Sequence, residues 1–488
     1  MNLSDDISEL KKFSREKALE CMRKTSVLSR NNSVEYCIAK LERYGISLPD
    51  DYSDEEILHY SQDENFWFRR VKQLASQTME QVRRELGKVN QKKSAYCSSD
   101  RARQFEWERE QAEEYMKTHY LVNQDGERIS MHDAYKSNVS NPSVRRAELM
   151  VRIKGTEEYS KMLEHEGWFF TLTTPSKYHS HYKSGKSNPK YAGSSVKEAN
   201  DYLNKQWCKA RAQFDRENIQ VYGLRVVEPH HDGTPHWHLM MFMPPENSAR
   251  VNEILEHYAL EHDSHEKGAQ KSRFKAEKIV AEKGSAQDYI AKYICKNIDG
   301  EYLDTDKYGN DAKDAATRIS AWASLYRIRQ FQFIGLPNVG LWRELRKLRE
   351  RTGNSQLESL RIAADSGDWL SYLIMMGGSN IKRVERPFSL EYEKLIKSIF
   401  SDCPIHALST HAFIRKPIAL VSTLSRFLLP KNNWELLRSP PDHSCPRAHR
   451  QGEHVNNYDS GGHRRRIGTF PPWREGSERA EGILDLCK

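Results

Sequence analysis

Residues 219–243, IQVYGLRVVEPHHDGTPHWHLMMFM, limit the possible folds of this chain more than any other stretch. Two runs of β-branched, aromatic and other apolar residues flank a turn containing Asp232-Gly233, which is the pattern of an antiparallel hairpin. Other segments supply what packs around it. WFFTLTTP, residues 168–175, reads as a strand stopped by proline, and QFQFIG, residues 330–335, reads as another. Between the first of these and the hairpin lies an amphipathic helix. Its Ser195 and Glu198 have capping-box spacing, and Val196, Ala199, Leu203, Trp207, Ala210 and Phe214 fall on one face. A further helix is predicted over 284–300, started by Ser285 and closed near Gly300. The expected class is therefore α+β, with helices packed on an antiparallel sheet.

The flanks differ from this core. From Asp5 to about Met116 apolar residues recur at three- and four-residue spacing among many charges, so residues 1–145 are expected to form a helical N-terminal region. The core is expected over 146–338 and a helical C-terminal region over 339–438. Residues 439–488, rich in Pro, Gly, His and Arg, are expected to be disordered. At 488 residues, two or three domains fit the length. A formal charge of +8 leans toward an anionic partner such as nucleic acid. The amino terminus has no apolar signal region, and no run of about 18 apolar residues could span a membrane. Eight scattered cysteines without a Cys-x-x-Cys pair read as reduced thiols, making the cytoplasm the expected compartment.

The hairpin carries unusual chemistry. Four histidines, a glutamate and an aspartate fall within residues 228–238. Alternate strand residues share a face, so His236 and His238 project together while Trp237 and Leu239 point away. If His231, Asp232 and Gly233 form a three-residue loop, Glu228 lies opposite His236 and adds a carboxylate to that face. A two-residue Asp-Gly loop would set Glu228 opposite Trp237, on the wrong side. Two imidazoles and one carboxylate with open positions suit a divalent ion that also accepts a substrate oxygen. The alternative is a His-rich polar turn, since a His-x-His pair arises easily in a chain with 19 histidines. His230 and His231 are expected to face solvent or DNA rather than to act as ligands.

The helix over 284–300 places Tyr289 and Tyr293 on one face, with Lys292 and Lys296 in the same arc and an apolar back of Ile290, Ala291, Ile294 and Ile298. Such a pair can simply be surface packing. Beside a metal, with lysine charge lowering the phenol pKa, a tyrosine can instead attack a phosphodiester. The product is a phosphotyrosine plus a free hydroxyl, and the bond energy is kept without ATP. Gly185-Lys186-Ser187 looks like the end of a phosphate-binding loop, but Ser180 stands where its first glycine is required, so no ATP site is expected. A flexible basic loop carrying Lys186 along a DNA backbone fits better.

FTLTTP, EPHHDGTPHWHLMMF and YIAKYICKN, in that order, resemble the three motifs of HUH rolling-circle replication endonucleases. NPSVRRAELMVRIKG, NPKYAG and AWASLYRIRQFQFIGLPNVGLWRELRKLR bring the chain closer still to the phage replication gene A protein family, over roughly residues 60–378. The resemblance implies an RRM-like antiparallel sheet, Mg or Mn on His236 and His238, and a site-specific nick in single-stranded or supercoiled origin DNA. It implies Tyr289 and Tyr293 as paired nucleophiles, Lys292 as a phosphate contact, and Glu228 as the acidic ligand. Thr171 and Thr173 fall in the first motif, where a structural role competes evenly with DNA contact; with Lys296 they are the candidate DNA contacts. Host helicase and DNA polymerase are the implied partners. Beyond about Gly378 the resemblance ends. Three rivals remain: a plasmid-type initiator or transposase of the same chemistry, a DNA-binding module with structural zinc, disfavoured because no cysteine lies near the hairpin, and a phosphodiesterase whose nucleophile is water.

Overall fold

The structure, a computed structural model, describes residues 7–280, 282, 284–348, 350–399, 410–422, 426–429 and 435–437. The chain begins with helices α1 (Ile7–Thr25), α2 (Arg30–Arg43), α3 (Asp54–Gln62), α4 (Glu64–Glu85) and α5 (Ser99–Thr118). The short strands β1 (Tyr120–Val122) and β2 (Arg128–Ser130) and helices α6 (Met131–Lys136) and α7 (Pro142–Met162) follow. Next come β3 (Glu166–Thr173), α8 (Val196–Arg216), β4 (Tyr222–Pro229), β5 (Pro235–Met243), α9 (Pro245–Leu260), α10 (Ala269–Ser272), β6 (Phe274–Lys278), α11 (Ala286–Ile298), α12 (Ala312–Tyr326) and β7 (Phe331–Ile334).

Strands β3 to β7 form one antiparallel sheet in the order β6-β3-β5-β4-β7. Its central strands β4 and β5 are buried along their whole length. That burial follows from helices covering both faces. Val227, Trp237, Leu239 and Met241 pack with Leu203, Trp207 and Phe214 of α8 and with α9 and α12. On the other face Leu224, Val226, Met240 and Phe242 pack with Leu149 and Ile153 of α7 and Ile290, Ile294 and Ile298 of α11. The chain is thus α+β, as its pattern predicts. The Ser195–Glu198 capping box is formed, and Ser285 caps α11 with Asp288 answering as its third residue. Each such cap satisfies amide donors that the first helical turn leaves free.

Two expected boundaries give way. The division at residue 145 falls inside α7, because Asn141 caps that helix and Pro142 begins it. The N-terminal region is also not purely helical, since β1 and β2 lie between α5 and α6. Beyond the core, α13 (Val339–Leu345), α14 (Ser355–Ser366) and α15 (Trp369–Met375) agree with a helical segment. After Gly377 and Gly378, both at positive φ, the chain forms strands instead: β8 (Ser389–Ile399), β9 (Thr410–Val421) and β10 (Arg426–Leu428) in one antiparallel sheet. The expectation of helix through 438 is therefore corrected. Tyr392, Leu395, Ile396 and Ile399 do fall at helical spacing, but tertiary pairing overrides that pattern: Leu390 pairs with Leu420 over a core that includes Trp342 and Trp369. The last strand, β11 (Glu435–Leu437), pairs with β1. The tail expected to be disordered, 439–488, lies outside the described residues.

Candidate metal and nucleophile site

The hairpin loop decides which face Glu228 occupies. The His230 amide donates to Thr234 O at 2.7 Å and the Gly233 amide to His230 O at 2.9 Å, leaving His231, Asp232 and Gly233 as a three-residue loop. Gly233 takes φ +80°, a conformation open to glycine at little cost. The register then sets Glu228 opposite His236 and Val227 opposite Trp237. Glu228, His236 and His238 share a face and are all buried. Each histidine Nε2 lies 3.7 Å from Glu228 Oε2, and the three candidate ligand atoms fall within 4.8 Å of one another.

The loop is clamped from several sides. Arg84 of α4, 1% exposed, donates from Nε to Asp232 O at 2.7 Å, and from Nη2 to Thr234 Oγ1 at 2.8 Å and Tyr178 O at 2.7 Å. The buried Asp232 carboxylate accepts from the Ser180 amide at 2.9 Å and Thr234 Oγ1 at 2.9 Å, and lies 3.3 Å from His179 Nδ1. Trp322 of α12 donates to Gly233 O at 2.9 Å. The N-terminal helices thus help to set the hairpin in place.

His230 and His231 do not face solvent, contrary to expectation. His231 is buried, and the His230 ring stacks on that of His236 with centroids 4.0 Å apart. His179 of the 176–194 loop lies against the His230 ring, and the Tyr308 ring and the Tyr96 amide cover His231, in place of the water a turn would ordinarily meet. Burial first, then nearby positive charge, holds the His230 and His236 rings well below their usual pKa, and burial lowers that of His238. All three are neutral imidazoles near pH 7, the form that ligates metals.

For Thr171, where a structural role and a DNA contact were both expected, the hydroxyl meets His238 Nδ1 at 3.0 Å, which fixes the ring with Nε2 toward Glu228. Thr173 donates to Ser272 O at 2.8 Å. Lys296 is also turned inward rather than outward: it is 6% exposed, with Nζ 3.0 Å from Glu228 Oε2. Asn297 Nδ2 donates to Glu228 Oε1. Burial pushes the Glu228 carboxyl up, but Lys296 and His238 outweigh it and hold the group well below the usual carboxylate range. A cation on Oε2 would meet the Lys296 ammonium at the same oxygen.

The donor set fits a divalent ion. Two neutral imidazoles and a carboxylate converge in a buried space, and His236 Nδ1 has no hydrogen-bond partner. The Tyr293 ring lies 4.3 Å from the His238 ring and 5.3 Å from Phe169, while Tyr289 sits 6.2 Å from Phe169, one helical turn back. Burial, then the Glu228 charge, raises the Tyr293 phenol above its ordinary pKa, opposite to the lowering expected from nearby lysines. Of those lysines, Lys292 is exposed and Lys296 is committed to Glu228.

Lys186 is exposed, but its loop is not a free arm. His181 bridges Ser187, and Asn188 Nδ2 donates to Ser176 O and His179 O, each at 2.8 Å. Local turn chemistry of Asn and Ser orders this stretch where composition alone suggested flexibility. Sequence reasoning missed Arg84, His230, Asn297 and Lys307. Desolvation and the neighbouring Lys296 charge push the Lys307 ammonium down to about 8, and it lies close enough to Glu228 and His236 to affect both. Asn297 could have been found, since it falls four residues beyond Tyr293 on the same stripe. Arg84 had no local signal.

Among the described residues no helix is long and apolar enough to cross a membrane. No solved structure matches the chain. It is 41% identical over 341 residues to the replication gene A protein of Escherichia phage 186, covering 68% of this chain and 49% of that protein. It is 40% identical over 337 residues to the probable replication protein P12 of Pseudoalteromonas phage PM2, covering 67% of this chain and 52% of that one. A probable replication endonuclease from a prophage-like region of Salmonella paratyphi A is 35% identical over 347 residues, covering 67% and 43%. The chain thus spans about half the length of the curated relatives it matches. The family model for bacteriophage replication gene A protein matches residues 5–301, more than half of the sequence, and the chain belongs to that family.

Proposed function

We propose that this chain initiates rolling-circle replication of phage DNA by nicking one strand at an origin. On this reading the β3–β7 sheet is an HUH endonuclease core. The observation that carries the proposal is the buried Glu228–His236–His238 cluster with the Tyr293 ring against His238.

A divalent ion, Mg or Mn, held by these three side chains would polarise the scissile phosphate and offset charge on the departing oxygen. Tyr293 attacks phosphorus through its hydroxyl oxygen. A P–Oη bond forms, the P–O3′ bond breaks, the phenol proton passes to solvent, and the leaving 3′ oxygen gains a proton. The products are a 5′-phosphotyrosine and a free 3′-OH for a host polymerase, with a host helicase unwinding ahead of it. Tyr289, one turn away, serves the second transfer that rejoins the strand. Lys292 and Lys307 supply positive charge to the phosphate. Thr171 holds the His238 ring, and Lys296 and Asn297 keep Glu228 ionised and oriented. The work belongs in the bacterial cytoplasm, where such DNA is copied.

The test is a covalent-adduct assay with origin DNA and Mn²⁺, denatured in SDS. The adduct should be lost in Tyr293→Phe on the first cut, retained in Tyr289→Phe, and absent in EDTA. Cleavage without any adduct would instead favour a water nucleophile.

A further inference from the structure

On the sheet face opposite the metal cluster, β4, α8 and the segment after α12 meet the N-terminal helices around a cavity of about 410 Å³. Its wall includes Arg225, which strand alternation turns away from Glu228. Arg225 is 7% exposed, and its guanidinium lies 4.1 Å over the Trp237 ring. The group is poorly satisfied: Nη1 reaches Asn204 Oδ1 at 3.4 Å and Nε has no partner. Arg84, also buried, by contrast donates to several oxygens at close range.

Four more cations line the same cavity: Arg70, Lys197, Arg327 and Arg329. Asp201 is the sole acidic lining residue, and none of the five cations forms an ion pair among the described residues. Burying one guanidinium without an anion is costly, and gathering others beside it adds like-charge repulsion. A nearly buried arginine with an unused donor, facing a basic and mostly polar cavity, is arranged for an anion from outside. Guanidinium forks match phosphate oxygens in pairs, and the volume suits a ligand of nucleotide size.

We infer that this cavity binds a phosphate group carried by a nucleotide, free or within a DNA strand, at a site separate from the metal cluster. The site rests on the geometry around Arg225 and not on the nicking reaction.

The test uses the full chain in EDTA, titrated by calorimetry with thymidine 5′-monophosphate and, separately, a twelve-residue oligothymidylate. Wild type is compared with Arg225→Gln, with the surface variant Arg327→Gln/Arg329→Gln, and with His236→Ala/His238→Ala. The surface pair guards against a folding defect in the buried variant. Binding of at least one probe should weaken on the order of tenfold in both arginine variants and persist in the histidine variant. Weakening for the monophosphate assigns the site to free nucleotide; weakening for the oligomer alone assigns it to a strand. Equal affinity of both probes for wild type and the arginine variants, or no binding at all, would overturn the inference.

Discussion

Replacing Lys296 with methionine tests how the metal cluster is balanced. The Lys296 and Glu228 side chains are 8% and 1% exposed, with Nζ and Oε2 3.0 Å apart. Coulomb's law at that separation, with an effective dielectric of 20, gives about 5.5 kcal/mol. Removing one member of a buried pair costs about 3–5 kcal/mol, because the other charge is left without compensation. Lys296→Met should therefore lose roughly that much stability in EDTA, measured by urea unfolding. A divalent ion on the same oxygen replaces the missing charge, so Mn²⁺ should restore more stability to the variant than it adds to wild type. The assay is the stability increment between EDTA and saturating Mn²⁺ in both proteins. Equal increments would refute the reasoning, since Glu228 Oε2 would then not be where cation and ammonium meet.

Thr171→Val keeps the strand but removes the hydroxyl at His238 Nδ1, so Mn²⁺ affinity should fall about 10–100-fold without loss of fold. Unchanged affinity by calorimetry would return Thr171 to a DNA-contact role. Arg84→Met strips several close hydrogen bonds from the hairpin loop and its neighbours. It should cost about 3 kcal/mol or more, with adduct formation falling although Arg84 touches none of the metal ligands. Asp232 is held well below the usual carboxylate range: burial opposes ionisation, but His179 and Arg84 outweigh it. Its contribution is present above the unfolded carboxylate pKa near 4 and is lost as pH falls through the lower folded value. The stability gap between wild type and Asp232→Asn should thus persist down to about pH 4 and shrink below it; a gap that closes by pH 6 would contradict this.

Sequence by itself determined the local pieces. Alternation and turn chemistry marked β3, β4, β5 and β7, and capping residues marked the starts of α8 and α11. Strand periodicity alone put His236 and His238 on one face, since that relation is internal to β5. Strand β6 escaped notice because FKAEK is a short, charged edge strand whose inward Phe274 and Ala276 are only partly buried. Strands β8 and β9 escaped because the preceding helices suggested that helix would continue.

Whether Glu228 joined the histidines depended on a one-residue choice of loop length, which Asp-Gly leaves open and Arg84, Asp232 and Trp322 decide through long-range hydrogen bonds. Lys296 carries the same charge whether it faces DNA or a buried carboxylate. Only the approach of α11 to β4 selects the second. The stacking of His230 on His236 and the unpaired Arg225 likewise depend on what covers each face of the sheet. Such relations join residues far apart in sequence, and they exist only once the layers have packed.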